Sequence, residues 1–227
     1  MLHQSHHHLH QSIPQQQNDH TSSDDDIEES IVALDTEGRT IRNSTIGPRG
    51  WLGENARDLA SYVASLRPVD HAFLDVLPSL HVVTDDYVHS SLEKSFNWNH
   101  VASKLVNWEG EWFIVAFRSV RKSSANDSLL YEADRRAQEE AIHSGGLLKY
   151  WFGDLNQHRE CLAMCIWINR EYALKATHKP LHLEAAKLAG QMYDSYTLER
   201  YKLVKKSGES IFHITPLPFS TPHPSFS

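Results

Sequence analysis

Two cations stand among apolar residues on runs whose alternation marks them as strands. In Leu147-Leu148-Lys149-Tyr150-Trp151-Phe152-Gly153, alternation sets Leu147, Lys149, Trp151 and Gly153 on one face and Leu148, Tyr150 and Phe152 on the other. In Gly110-Glu111-Trp112-Phe113-Ile114-Val115-Ala116-Phe117-Arg118, the side holding Trp112, Ile114 and Ala116 also holds Arg118. An ammonium or guanidinium among aromatic and aliphatic groups is costly to bury unless it is paired or holds an anion. If Lys149 and Arg118 share an open sheet face, they would stabilise a carboxylate, phenolate or enolate on an aromatic or acyl ligand. Trp151, Trp167 and Tyr201 would wall that pocket. The competing reading leaves Arg118 in solvent at a strand end and pairs Lys149 with a carboxylate such as Glu140.

Proton-transfer candidates are few. Glu140 neighbours the apolar Ala137 and Ala141 positions of a helical run and would serve as a base, or as a salt-bridge partner. Asp134 lies six residues earlier, on the opposite side, so the two acids do not form a working pair. His178 and His182 have the i, i+4 spacing of a helical metal pair, but Pro180 marks a helix start between them and leaves His178 outside. No metal and no cofactor is therefore expected, and His182 remains as an acid or base on its own. Cys161 and Cys165, about 13 Å apart along one strand, are out of disulfide reach and read as core thiols. There is no GxSxG elbow, no phosphate loop and no GxGxxG after a strand.

Positioning these residues falls to a regular second half. Residues 110–215 alternate as strand, helix, strand, strand, helix, strand. The helix over residues 128–144 ends at Gly145-Gly146, and the helix from residue 169 onward is interrupted at Pro180. A further strand, in Ser210-Ile211-Phe212-His213-Ile214, folds back through Ser207-Gly208. This is an α+β chain with a ferredoxin-like β-α-β-β-α-β core and an extra C-terminal strand. Residues 31–109 read as a mainly helical N-terminal cover. They open on two short β-prone pieces around Glu37-Gly38 and include a helix near 59–66 ended by Pro68. A loop-rich stretch through 71–86 follows, then a helix within 95–108. Two helices cover one sheet face; the other needs either this N-terminal part or a second copy of the chain.

The ends differ from the body. Residues 1–30 hold four Asp and two Glu and no Lys or Arg, almost the whole of the formal charge of −7. With their His cluster (His3, His6, His7, His8, His10) and scarce apolar groups they read as a disordered tail. Residues 216–227 form a Pro/Ser-rich tail. The near-neutral remainder gives no electrostatic reason to bind nucleic acid. No run approaches the length of a membrane span and no secretory leader opens the chain, so a cytoplasmic location, extending to the nucleus, is expected.

The runs HSGGLLKYWFG, RECLAMCIWINREYALKATHKPLHLEAAKLA and YDSYTLERYKL, with FNWNHV and EWFIVAFRSVR upstream, resemble a fungal protein family of unassigned function, over most of residues 50–205. The stretch IWINREYALKATHKPLH is also similar to dimeric α/β-barrel proteins, which include cofactor-free monooxygenases and polyketide cyclases. The charged residues on otherwise apolar strands point to a small organic, anionic or aromatic ligand on the sheet face, and a homodimer is the other way of covering that face. The chemistry would be proton transfer or oxygenation without a cofactor, with Lys149, Glu140 and His182 catalytic and Arg118, Trp151, Trp167 and Tyr201 holding the ligand. The alternative is a non-catalytic binding or scaffolding protein working through protein partners.

Overall fold

The computed structural model describes residues 62–218, together with the backbone of two short strands, β1 (Val32–Leu34) and β2 (Thr40–Thr45). Residues 1–30 and 219–227 of the two tails lie outside the described residues, as do residues 59–61 of the helix expected near 59–66, whose residues 62–64 are helical. The cover continues with α1 (Pro68–Val76), a 3-10 turn (Leu77–Ser79), α2 (Leu92–Ser95) and α3 (Trp98–Ser103). The core comprises β3 (Gly110–Arg121), α4 (Asp127–Ser144), β4 (Leu147–Phe152), β5 (Glu160–Trp167), α5 (Arg170–Thr177), α6 (Pro180–Met192) and β6 (Tyr193–Lys205), with β7 (Phe212–Pro216) appended.

The sheet runs β1-β2-β4-β5-β3-β6-β7, every neighbouring pair antiparallel. Its inner four strands are the ferredoxin-like arrangement. β3 runs between β5 and β6, and its aromatic and β-branched residues suit burial on both faces. Its register places Ile114 opposite Ile166 on β5 and Tyr201 on β6. The helices form where the chain supplies start and stop signals. The Asn126 and Asn169 side chains accept the Leu129 and Tyr172 amides at the starts of α4 and α5, and Pro180 takes the first turn of α6. Gly146, at φ +84°, stands just before β4 and against α5, where a β-carbon would collide with the Tyr172 side chain.

The N-terminal cover closes one sheet face. Phe73 of α1 packs on Trp112 with ring centroids 4.1 Å apart, and Phe96 meets Trp151 edge-on at 4.8 Å. Asp70, 1% exposed, pins α1 to the sheet: it accepts the Trp112 indole N–H at 2.9 Å and two guanidinium N–H groups of Arg67 at 2.7 Å. The stretch expected to be loop-rich is therefore helical at its start. Pro68 and a reciprocal Arg67–Asp70 cap launch a helix whose Phe73 and Leu74 are buried. The opposite sheet face carries α4, α5 and α6, with α4 packed along α6.

Candidate functional site

Between that helix layer and the sheet lies a cavity of about 540 Å³, the size of small-molecule pockets. It exists because the helices present small side chains there. Ala133, Ala137 and Ala141 on α4 and Ala185, Ala186 and Ala189 on α6 line it, and α6 buries none of its residues. The floor is the odd-numbered side of β3, from Phe113 to Arg121, joined by Tyr150 and Phe152 of β4 and Trp167 of β5.

Asp134 is the one carboxylate on this lining among the described residues. It accepts the Tyr150 hydroxyl on both oxygens, at 2.9 and 2.8 Å. Burial raises its pKa to about 6, against the opposing pull of the Tyr150 hydrogen bond and of the nearby Arg121 charge. The same burial and the adjacent carboxylate push the Tyr150 phenol well above its usual range, so it stays protonated. Arg121, 5% exposed, closes this end of the cavity. Its Nη1 donates to Asp127 Oδ1 at 3.0 Å and to the Tyr131 hydroxyl at 3.2 Å, with the guanidinium 4.9 Å from the Tyr131 ring centroid.

The residues expected to act together are split between the two faces. Lys149 and Arg118 do share a side with Trp151, but the cover fills it. Lys149 is fully buried, donates to the Leu77 carbonyl at 3.2 Å, and has its pKa lowered to about 7 by burial. Arg118 donates to the Tyr87 carbonyl at 3.1 Å, to the Val88 carbonyl, to the Ser90 carbonyl at 2.8 Å and to Glu199 at 3.0 Å. It is a clamp on the cover loop, neither solvent-exposed nor open to a ligand. Trp151 lies against Tyr87 and Phe96, and Tyr201 donates to Glu199 at 2.7 Å on the same filled side.

Trp167 and His182 do line the cavity. Glu140 is no partner of Lys149: it accepts the His182 backbone N–H at 3.0 Å, capping the first turn of α6. That bond holds His182 over the cavity, where burial lowers the basicity of its ring. The face assignment of Leu147 is also corrected. A register shift between Leu147 and Lys149 turns Leu147 towards the cavity, with Tyr150 and Phe152. Burial raises both thiols, Cys161 and Cys165, to about 12, as inert core groups. Among the described residues no cluster of His, Cys, Asp and Glu is placed to hold a metal ion, and no helix is long and apolar enough to cross a membrane.

Because Arg118 meets carbonyls of the cover, Arg118→Ala is expected to cost about 3 kcal/mol in urea unfolding, the scale for leaving buried partners of a charged group unmet. Ligand binding in the cavity should be unaltered. Unchanged stability with lost ligand binding would return Arg118 to the site.

The sequence profile of the PB2B2.08-like family matches residues 55–216. UPF0643 protein PB2B2.08 of Schizosaccharomyces pombe is 29% identical over 161 residues, which cover 63% of this chain and 73% of that protein. Among solved structures, SnoaB, a cofactor-independent oxygenase from Streptomyces nogalater, is 12% identical, with TM-score 0.34 over 43% of this chain and 95% of its own. Rv0793 from Mycobacterium tuberculosis is 14% identical, with TM-score 0.35 over 48% of this chain and 99% of its own. SO0527 from Shewanella oneidensis is 11% identical, with TM-score 0.37 over 42% of this chain and 94% of its own.

Proposed function

The chain belongs to the PB2B2.08-like family, and we propose that it is an enzyme binding a small, largely apolar organic molecule in the helix-side cavity and taking a proton from it with Asp134. One observation carries this reading: a carboxylate, the one on this cavity lining among the described residues, bonded to a phenol and poised at a pKa of about 6. A general base works best with a pKa near the operating pH, and burial tunes carboxylates into that range.

The substrate class follows from the walls. Aromatic rings of Phe113, Phe117, Phe152 and Trp167 suit a planar or acyl body, and Arg121, Arg170 and Arg200 on the lining give a positive surround for an anion. Transfer of an acidic C–H or O–H proton to the Asp134 carboxylate leaves an enolate or phenolate in that surround. The electron pair so generated is available to dioxygen, giving oxygenation without a cofactor, or to a carbonyl carbon of the same molecule, giving ring closure. His182, on the helix opposite Asp134 across the cavity, is the second group that would carry the proton.

The test is a panel of polyphenols and β-diketones of cavity size, followed by absorbance for deprotonation or turnover and by native mass spectrometry for binding. Asp134→Asn should abolish turnover by at least about 100-fold while retaining binding, the scale of a lost general base. Tyr150→Phe should move the acid limb of the rate profile to higher pH, because the hydrogen bond it removes holds the Asp134 pKa down. Binding with unaltered turnover in Asp134→Asn would remove Asp134 from the chemistry. No binding of any probe by the intact chain would favour the non-catalytic reading.

A further inference from the structure

The helix-side cavity does not end at its own wall. A second cavity, of about 590 Å³, lies where β3 begins, lined by the residues leading into α1, the first residues of β3 and the start of α5. Phe113 and Arg170 belong to both linings, so the two cavities adjoin there. The first alone has the volume of a small-molecule site. The space beyond Phe113 accommodates a ligand longer than the first cavity holds.

The junction is cationic. β3 sets Phe113 opposite Lys202 and Val115 opposite Arg200 of β6, and opposed residues share a face, so both cations flank Phe113 on the helix side of the sheet. Arg170, at the start of α5, is the third. The second lining has two acids among the described residues, Glu111 and Asp70. Asp70 is already spent on Arg67 and Trp112. Glu111 accepts Lys202 Nζ at 2.9 Å, but both side chains are about half exposed, so that pair is weak and Lys202 can be shared. Three cations against one loosely held acid leave a net positive junction. The other lining arginine, Arg121, is the one whose charge reaches Asp134. The junction cations therefore act on a different part of the ligand from the one that loses its proton.

We propose that the cavity's ligand is an amphipathic acid: its body lies against Asp134, and a carboxylate at its far end is bound at Phe113 by Arg170, Arg200 and Lys202. This rests on the cavity reading above and adds to it a second, permanent anion. Arginine forks match a carboxylate, and Glu111 beside Lys202 disfavours a dianion such as a phosphate monoester. The strand register also sets a length. Tyr150, which holds Asp134, stands opposite Cys165, and Phe113 stands opposite Trp167. Two residues along the sheet and two strands across it separate Tyr150 from Phe113 by about 12 Å. The carboxylate should lie at about that distance from the acidic proton.

A series of dihydroxyphenyl alkanoic acids of increasing chain length, each with its methyl ester, tests this by calorimetry on the full-length chain. The acid that spans about 12 Å should bind at least about tenfold more tightly than its ester, and high salt should erode the difference. Arg170→Gln with Lys202→Gln should remove the preference and leave ester binding as it was. Glu111→Gln should tighten the acid alone, a gain that misfolding does not mimic. Equal binding of acid and ester, a preference that survives the double variant, or one strongest for the shortest acid would overturn the proposal. Failure of every acid and ester to bind would overturn it together with the cavity reading. Asp134→Asn should keep the acid's preference, so the anchor and the proton transfer are read separately.

Discussion

Replacing Lys149 by Met is expected to raise the unfolding free energy by about 4 kcal/mol at pH 6 and to change little at pH 10.5. The ammonium is fully buried beneath the cover, and burial alone brings its pKa from 10.5 down to about 7. In the unfolded chain the group titrates at its ordinary value. Between about pH 7 and 10.4 the unfolded state therefore holds the extra proton, and stability rises with pH through that window. Below pH 7 the penalty is complete, on the order of 5 kcal/mol for the whole shift. Methionine has similar volume and carries none of that cost, but gives up the hydrogen bond to the Leu77 carbonyl, worth about 1 kcal/mol. Urea midpoints at pH 6, 8 and 10.5 measure the difference. A gain independent of pH, or a loss at pH 6, would mean that the buried amine is charged and compensated.

That lysine also marks how far the sequence could be read. Its shared side with Arg118 and Trp151 followed from alternation, and the β-α-β-β-α-β order followed from the punctuation at Gly145-Gly146, Pro180 and Ser207-Gly208. What alternation cannot supply is which face is left open. The decision rests on α1, whose helix hides behind Pro68 in a stretch rich in Asp and His, and on carbonyls of the Tyr87–Ser90 turn that no side-chain pattern encodes.

Asp134 was legible in a different way. It is spaced four residues after Leu130 and three before Ala137, inside the apolar stripe of α4, and an acid in such a stripe must be buried or meet a partner. Measuring it only against Glu140 conceals this. The cavity itself had a faint signal in the alanines of α4 and α6, because small side chains on facing helices either draw the layers together or leave space. Only the position of the helices over β3 and β4 decides between these outcomes. The shift that turns Leu147 to the cavity had none: a bulge moves one residue across the sheet without altering composition.

A site residue of this kind should be one the fold would be better off without. Asp134→Asn is expected to stabilise the chain by about 3 kcal/mol at pH 8 and by almost nothing at pH 4. Burial lifts the carboxyl from 3.8 to about 6 in the folded chain, so between those values the folded state holds the proton more tightly than the unfolded one. Stability is therefore highest on the acid side and falls as pH rises from about 4 to 6, after which the full cost of an ionised, enclosed carboxylate is carried. Asparagine keeps an acceptor for the Tyr150 hydroxyl and never ionises. The Asn variant should thus lose the pH dependence in this window together with turnover, a stability gain set against lost activity. The two buried groups act in opposite directions, Asp134 lowering stability from pH 4 to 6 and Lys149 restoring it from pH 7 upward. The double variant, Asp134→Asn with Lys149→Met, should flatten the profile across the whole range, and their gains should add, since they lie on opposite faces of the sheet. If Asp134→Asn instead destabilises the chain at pH 8, its carboxylate is a satisfied structural group and the cavity has to find its chemistry in another residue.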